Sequence, residues 1–286
     1  MALTLGSNIS SLKAQRTLGI VSDRLSQTYE RLSSGQRINR ASDDAAGLAI
    51  ADSLKANARV AAVAVRNAND GISTIGIADS ALGEVGNVLA RLAELAEQSA
   101  NGVFSTTQRS ALQNEFTALG SEIERIAVTT EFNGVKLLSG GNVLVLQVGF
   151  SSGSTSQISF TGVQGTLAAL GLANGVSALG YSISGVNIAE GQSASRLALD
   201  AVNAAIGSLA STRGVLGATE SRLQVAINNL SVARENFLAA ESRIRDVDVA
   251  AESAELTRLG ILQQAGASIL AQANQQPSLS LSLLRG

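Results

Sequence analysis

The apolar positions of this chain fall into long helical stripes broken once by a stretch of a different rhythm. Leu18, Val21, Leu25, Thr28 and Leu32 step by three and four residues, the spacing of a helix laid along another helix, and Ser33-Ser34-Gly35 stops it. A second start follows, where Ser42 is placed to cap and Asp43 and Asp44 sit where the helix dipole favours negative charge. Few breakers appear from there to Asn101-Gly102, and Leu82, Val85, Leu89, Leu92 and Ala96 repeat the step. A helix of this length spans roughly 80 Å at about 1.5 Å per residue, which suits a coiled-coil rod. Thr106 or Thr107 can cap a third helix with the stripe Leu112, Phe116, Leu119, Ile123 and Ile126, ending at Asn133-Gly134.

Between Lys136 and Glu190 the rhythm changes. "VLVLQV", "QISF" and "YSISGVNI" read as short strands separated by Gly and Ser turns, a small β insert. From about Gln192 the helical spacing returns through Val202, Ile206, Leu209, Leu216, Leu223, Ile227, Leu230, Phe237 and Ile244, with an interruption at "RDVDVA". The last helix is expected to run to Pro277, which cannot donate a backbone hydrogen bond. Helices, a β piece and helices again close most simply as a hairpin. The expected fold is mainly α, a long antiparallel coiled-coil bundle with a small β-hairpin insert and with the N- and C-termini paired.

Both ends are free of charge, Met1 to Leu12 at the front and Leu259 to Leu284 at the back. Burial available to a lone helix falls short of the entropy lost in ordering it, so the termini are expected to order only when other chains cover them. The tail then acts as an assembly element. Contacts of this kind join different surfaces of neighbouring copies and can propagate as a helical filament.

Composition sharpens this picture. Of 286 residues, 45% are hydrophobic but only 3% aromatic, so the core is built from Leu, Ile, Val and Ala. A net charge of -2 without a basic stripe argues against a nucleic-acid surface. The absence of Cys and His removes disulfides, thiol nucleophiles, imidazole bases and the commonest transition-metal ligands. No cofactor and no enzymatic activity are expected. "MALTLGSNISSLK" has no positive region ahead of an apolar run, so a cleaved secretory signal is not expected.

Seven blocks in order, "NISSLKAQRTL", "ERLSSGQRINRASDDAAGLAIADSLKANAR", "RNANDGISTIGIADSALGEV", "LAELAEQSANG", "EFNGVKLLSG", "ARENFLAAESRIRDVDVA" and "ILQQAGASILAQANQ…LSLLR", closely resemble bacterial flagellin. They cover both helical arms and almost the whole chain outside the insert. The resemblance implies a terminal coiled-coil filament-core domain from 1–42 and 246–286, and an outer helical domain, 43–245, holding a β-rich insert at about 136–190. It implies a secreted subunit that polymerises with itself into the flagellar filament, without the bulky variable outer domains of large flagellins. It also implies type III export, an export chaperone, cap and hook-junction partners, and no membrane insertion. The residues expected to carry self-association are Leu3, Ile9, Leu12, Leu18, Val21, Leu25, Leu32, Leu259, Leu262, Ile269, Leu270, Leu283 and Leu284. The family's immune-receptor patch, read by a Toll-like receptor, maps by resemblance onto Arg91, Glu94, Leu95 and Glu115, with Ala93 where many members have a second Arg.

Other motifs lose to plainer readings. "GFSSG" from Gly149 to Gly153 fits a nucleophile elbow, but without His it lacks a base and reads as a turn. Asp246 and Asp248 lack the further oxygen ligands of a calcium loop and mark a break between helices. Gly171 and Gly175 have membrane-dimer spacing outside any membrane span, and the Asn8 and Asn229 glycosylation triplets lie in expected helices. The alternative to a filament subunit is a membrane-active type III secretion translocator, which needs a long hydrophobic span that the sequence does not supply.

Overall fold

The computed structural model describes residues 7–141, 143–160, 163–173 and 178–285, with side chains described as far as residue 276. Five helices dominate: α1 (Ile9–Ser34), α2 (Ala45–Ala100), α3 (Thr106–Thr129), α4 (Ile188–Arg245) and α5 (Val249–Arg285). Four short strands make two hairpins, β1 (Glu131–Phe132) with β2 (Val135–Lys136), and β3 (Leu144–Gln147) with β4 (Gln157–Phe160). The chain divides into two compact units: unit 1, Met1–Ala58 with Glu235–Gly286, and unit 2, Arg59–Arg234. The mainly α fold with a β-hairpin insert is the one expected.

Unit 2 holds a continuous apolar core. Ile75, Ala78, Leu82, Val85, Leu89, Leu92 and Ala96 are all buried, so the 3-4 stripe of α2 faces inward over six turns. On α4, Val202, Leu209, Leu216, Leu223 and Leu230 are buried at a strict seven-residue interval, a coiled-coil repeat. Phe116 and Ile123 of α3 and Leu138, Leu167, Leu172 and Ile183 of the connecting segments complete the core. The β3–β4 hairpin lies against α2 at Gly71, where an added Cβ would stand 2.2 Å from Leu146 Cδ1.

Several local expectations are corrected. Asp44, not Ser42, caps α2, its Oδ1 accepting from the Gly47 N–H at 2.8 Å. Asp43 is held in the preceding turn, accepting from the Arg40 and Asn39 N–H groups. Those two bonds, the Arg40 one first, hold its carboxyl below the ordinary range. Ser105, not Thr106 or Thr107, caps α3, because Ser105 and Gln108 form a reciprocal capping box. That helix ends at Thr129 rather than at Asn133-Gly134, which instead turn the β1–β2 hairpin with φ of 49° and 78°.

"YSISGVNI" forms no strand. The Ile183 carbonyl accepts from Ser99 Oγ at 2.6 Å and Ser195 Oγ at 3.1 Å, and its N–H donates to Gln113 Oε1 at 2.6 Å. Side chains of α2, α3 and α4 thus satisfy the backbone that a strand partner would otherwise serve. The segment's place in the core comes from Ile183, not from pairing.

Pro277 does not end the last helix, which continues to Arg285. The carbonyl it leaves without a helical donor, that of Ala273, accepts from Asn8 Nδ2 at 2.7 Å. A donor supplied from outside the helix to the freed carbonyl is what lets a proline persist inside one.

Candidate functional site

Unit 1 is built on the pairing of α1 with α5. Asn8 meets Ala273, Leu18 lies beside Gly266, and Arg31 lies 3.9 Å from Glu252, so the two helices run antiparallel and the two ends of the chain are side by side. Where the helices turn, Gln36 bridges to Asp246, the Arg37 N–H donates to the Arg245 carbonyl at 2.6 Å, and the Val247 N–H donates to the Gly35 carbonyl at 3.1 Å. Arg245 adds Nε to Gln36 Oε1 at 3.0 Å and Nη1 to Asp52 Oδ1 at 3.2 Å. Asp248 then caps α5, accepting from the Ala250 and Ala251 N–H groups. The acidic pair at Asp246 and Asp248 is therefore a helix break with one working cap.

Two helices alone cannot cover both their faces. Val21 and Leu259 are buried and Leu18, Leu25, Leu32 and Leu270 half-buried, forming the seam. Four other expected residues face outward: Ile9 is 56% exposed, Leu12 61%, Leu262 41% and Ile269 58%. Ile20, Tyr29, Val249 and Ile261 join them on the outer surface. Leu3 lies outside the described residues; Leu283 and Leu284 lie on α5, their side chains outside the description. Reading one stripe per helix missed Ile20 and Tyr29. The available signal was Ile20, which falls on the side of α1 that carries Ile9 and Leu12, away from a stripe that was already filled.

The second candidate patch lies in unit 2. Arg91 Nε donates to Glu115 Oε1 at 2.9 Å and Nη1 to Glu94 Oε2 at 2.8 Å, joining α2 to α3 at an exposed position. Glu94 first, and Glu115 after it, hold the guanidinium charged above its ordinary range. Leu95 is fully buried beneath them, so it acts on this patch only through packing.

Sequence reasoning also missed Arg109, which is fully buried with no carboxylate partner among the described residues. Its Nε donates to the Ser99 carbonyl at 2.8 Å, Nη2 to Asn101 at 2.9 Å and Nη1 to Ile188 at 3.0 Å. The carbonyls at the end of α2, where the dipole is negative, stabilise this charge. Nothing in the spacing marks it, because its partners are backbone atoms.

A helical chain with paired ends and an uncovered apolar surface on that pair defines a subunit of a larger assembly. The profile of the bacterial flagellin N-terminal helical region matches residues 6–143, and that of the bacterial flagellin C-terminal helical region matches residues 199–284. The flagellin of Halalkalibacterium halodurans is 43% identical over 284 residues, covering 99% of this chain and 100% of its own. The flagellar filament 33 kDa core protein of Treponema phagedenis is 40% identical over 290 residues, covering 99% and 100%. A solved structure of a putative flagellar hook-associated protein from Vibrio parahaemolyticus shares the fold, with a TM-score of 0.55 and 17% identity over 72% of this chain and 99% of that one. This chain belongs to the bacterial flagellin family, in a short form without large outer domains. It is a structural protein rather than an enzyme, exported to polymerise with its own copies into the extracellular flagellar filament.

Proposed function

We propose that polymerisation proceeds by ordering of the apolar terminal helices, with residues 1–42 and 246–286 lining the filament core and 43–245 forming the outer domain. The observation that carries this reading is the outward apolar surface of the α1–α5 pair, with Ile9, Leu12, Leu262 and Ile269 exposed in the single chain. Covering such side chains contributes about 1.5 to 3 kcal/mol each when burial is complete, and in the filament neighbouring copies supply the cover. In this reading the seam residues Val21, Leu25, Leu32, Leu259 and Leu270 hold the pair, and the outward set joins it to other subunits. The likeness to flagellins adds a C-terminal export chaperone and cap and hook-junction partners, for which the exposed apolar surface of the termini is a suitable contact.

The translocator alternative finds no support: among the described residues no helix is long and apolar enough to cross a membrane. Salting-out of purified protein followed by negative-stain microscopy tests the proposal. Long regular filaments are expected; liposome leakage without filaments would favour the translocator.

The exposed Arg91–Glu94–Glu115 cluster supports a second role, recognition by a flagellin-sensing Toll-like receptor. Arg91 is aimed by two carboxylates on adjoining helices, a rigid presentation that lowers the entropy lost on binding. Reporter-cell activation should fall with Arg91→Ala. Undiminished signalling would remove the patch from consideration.

A further inference from the structure

We infer that Asn8 is the register pin of the terminal helix pair, a positioning residue that fixes how α1 slides against α5. Its one carboxamide does two jobs. Oδ1 accepts from the Ser11 N–H at 3.0 Å and caps α1, while Nδ2 donates to the Ala273 carbonyl at 2.7 Å across the pair. Beside it, Ser11 Oγ donates to Asn274 Oδ1 at 2.7 Å, and both Ser11 and Ala273 are buried.

The argument for register rests on Pro277. It is the only proline in the chain, and having no N–H it leaves the Ala273 carbonyl without its helical donor. Short of the final turn of α5, every other carbonyl of that helix has an N–H four residues on, so a donor sliding along α5 meets this need at a single place. The apolar seam does not choose a register so sharply. Ala, Gly and Leu recur along α5, as in "LQQAGASILAQAN", and a one-turn slip exchanges one small or aliphatic neighbour for another. A slip by one turn would bury an unsatisfied carbonyl and leave Asn8 Nδ2 without that partner. Buried polar pairs set register in helix assemblies by this asymmetry, in which the wrong alignment costs more than the right one gains.

This inference rests on the filament reading, and its two tests separate the yield of assembly from the alignment of the helices. The first is a double-mutant cycle read by the critical concentration for polymerisation. Asn8→Ser keeps a capping oxygen but loses the amide donor, and should raise the critical concentration about three- to tenfold. Pro277→Ala restores the helical N–H in every register, so it also removes the pin and should shift the critical concentration in the same direction. Combining the two should add little beyond either change alone, because both remove one interaction. An Asn8→Ser chain that polymerises normally, or effects of the two substitutions that simply add, would overturn the pin.

The second test reads alignment in the polymerised sample, where the terminal helices are ordered; the parent chain has no Cys to interfere. A Cβ at Gly266 would stand 3.3 Å from Leu18 Cδ1, so Leu18→Cys with Gly266→Cys reports the native alignment. Leu18→Cys with Leu262→Cys or Leu270→Cys reports a slip of one turn in either direction. Adding Asn8→Ser should move cross-linking from the first pair toward the slipped pairs, and Pro277→Ala, which gives the Ala273 carbonyl its helical donor in every register, should move it the same way. An unchanged distribution would sink the proposal. Failure of the parent chain to polymerise would count against the filament reading alone.

Discussion

The helix pair of unit 1 and the bundle of unit 2 use the same residue types to opposite ends. In unit 2 the stripes of α2, α3 and α4 meet each other and the connecting segments, so Leu82, Leu89, Leu92, Phe116, Leu216 and Leu223 are all lost from solvent. In unit 1, Val21 and Leu259 fill the seam of the α1–α5 pair while Ile9, Leu12, Ile20, Ile261 and Ile269 stay outside. Unit 2 closes a core of its own, whereas the α1–α5 pair of unit 1 keeps large apolar side chains in solvent in the single chain.

Removing Leu259–Gly286 breaks the comparison most directly. The truncated chain should lose polymerisation entirely while its thermal transition, set by unit 2, survives; sedimentation and calorimetry on one sample read both. Filaments from the truncated chain would refute the assembly role of the tail.

Core truncation should do the reverse. Leu89→Ala removes a fully buried side chain of unit 2 and should cost about 2 to 5 kcal/mol, measured by urea unfolding. The seam variant Leu270→Asp, at a half-buried position of the pair, should weaken polymerisation far more than it lowers the melting temperature. Equal losses would place the tail within the monomer's own stable structure. A smaller effect belongs to Ser105→Ala, which opens the capping box of α3 at about 1 kcal/mol, again by urea unfolding.

The smallest effect is expected from pH. Asp79 receives Arg213 Nε at 2.7 Å and Nη2 at 2.9 Å, a bidentate bond between α2 and α4 that depresses its carboxyl below 3.8. A depressed carboxyl contributes stability above its unfolded value and loses it as pH falls through the folded one. Melting temperatures of the parent should therefore drop slightly more steeply below pH 3.8 than those of Asp79→Asn. Both groups are largely open to solvent, so salt should mute the difference.

The legible parts of this molecule are those governed by period. The stripes at Leu82 to Ala96 and at Val202 to Leu230 mark inward faces from spacing alone, because a buried helix face must repeat with the helix. Partners close in sequence escaped the same reading when several residues offered similar chemistry. Ser42, Asp43 and Asp44 can each cap α2, and only the fold of the preceding turn assigns Asp43 to that turn and Asp44 to the helix. Thr106 lost to Ser105 because Gln108 completes the box with Ser105.

By itself, then, the sequence determined the helices, their apolar faces, the β interruption and the neutral ends, since each follows from the order of side chains along one chain. Tertiary structure alone decided where "YSISGVNI" finds its hydrogen bonds, which carbonyls Arg109 donates to, which apolar residues of α1 and α5 look outward, and how α5 passes Pro277. Each of those depends on an atom from a distant segment arriving at a backbone group, and no local period records such an arrival.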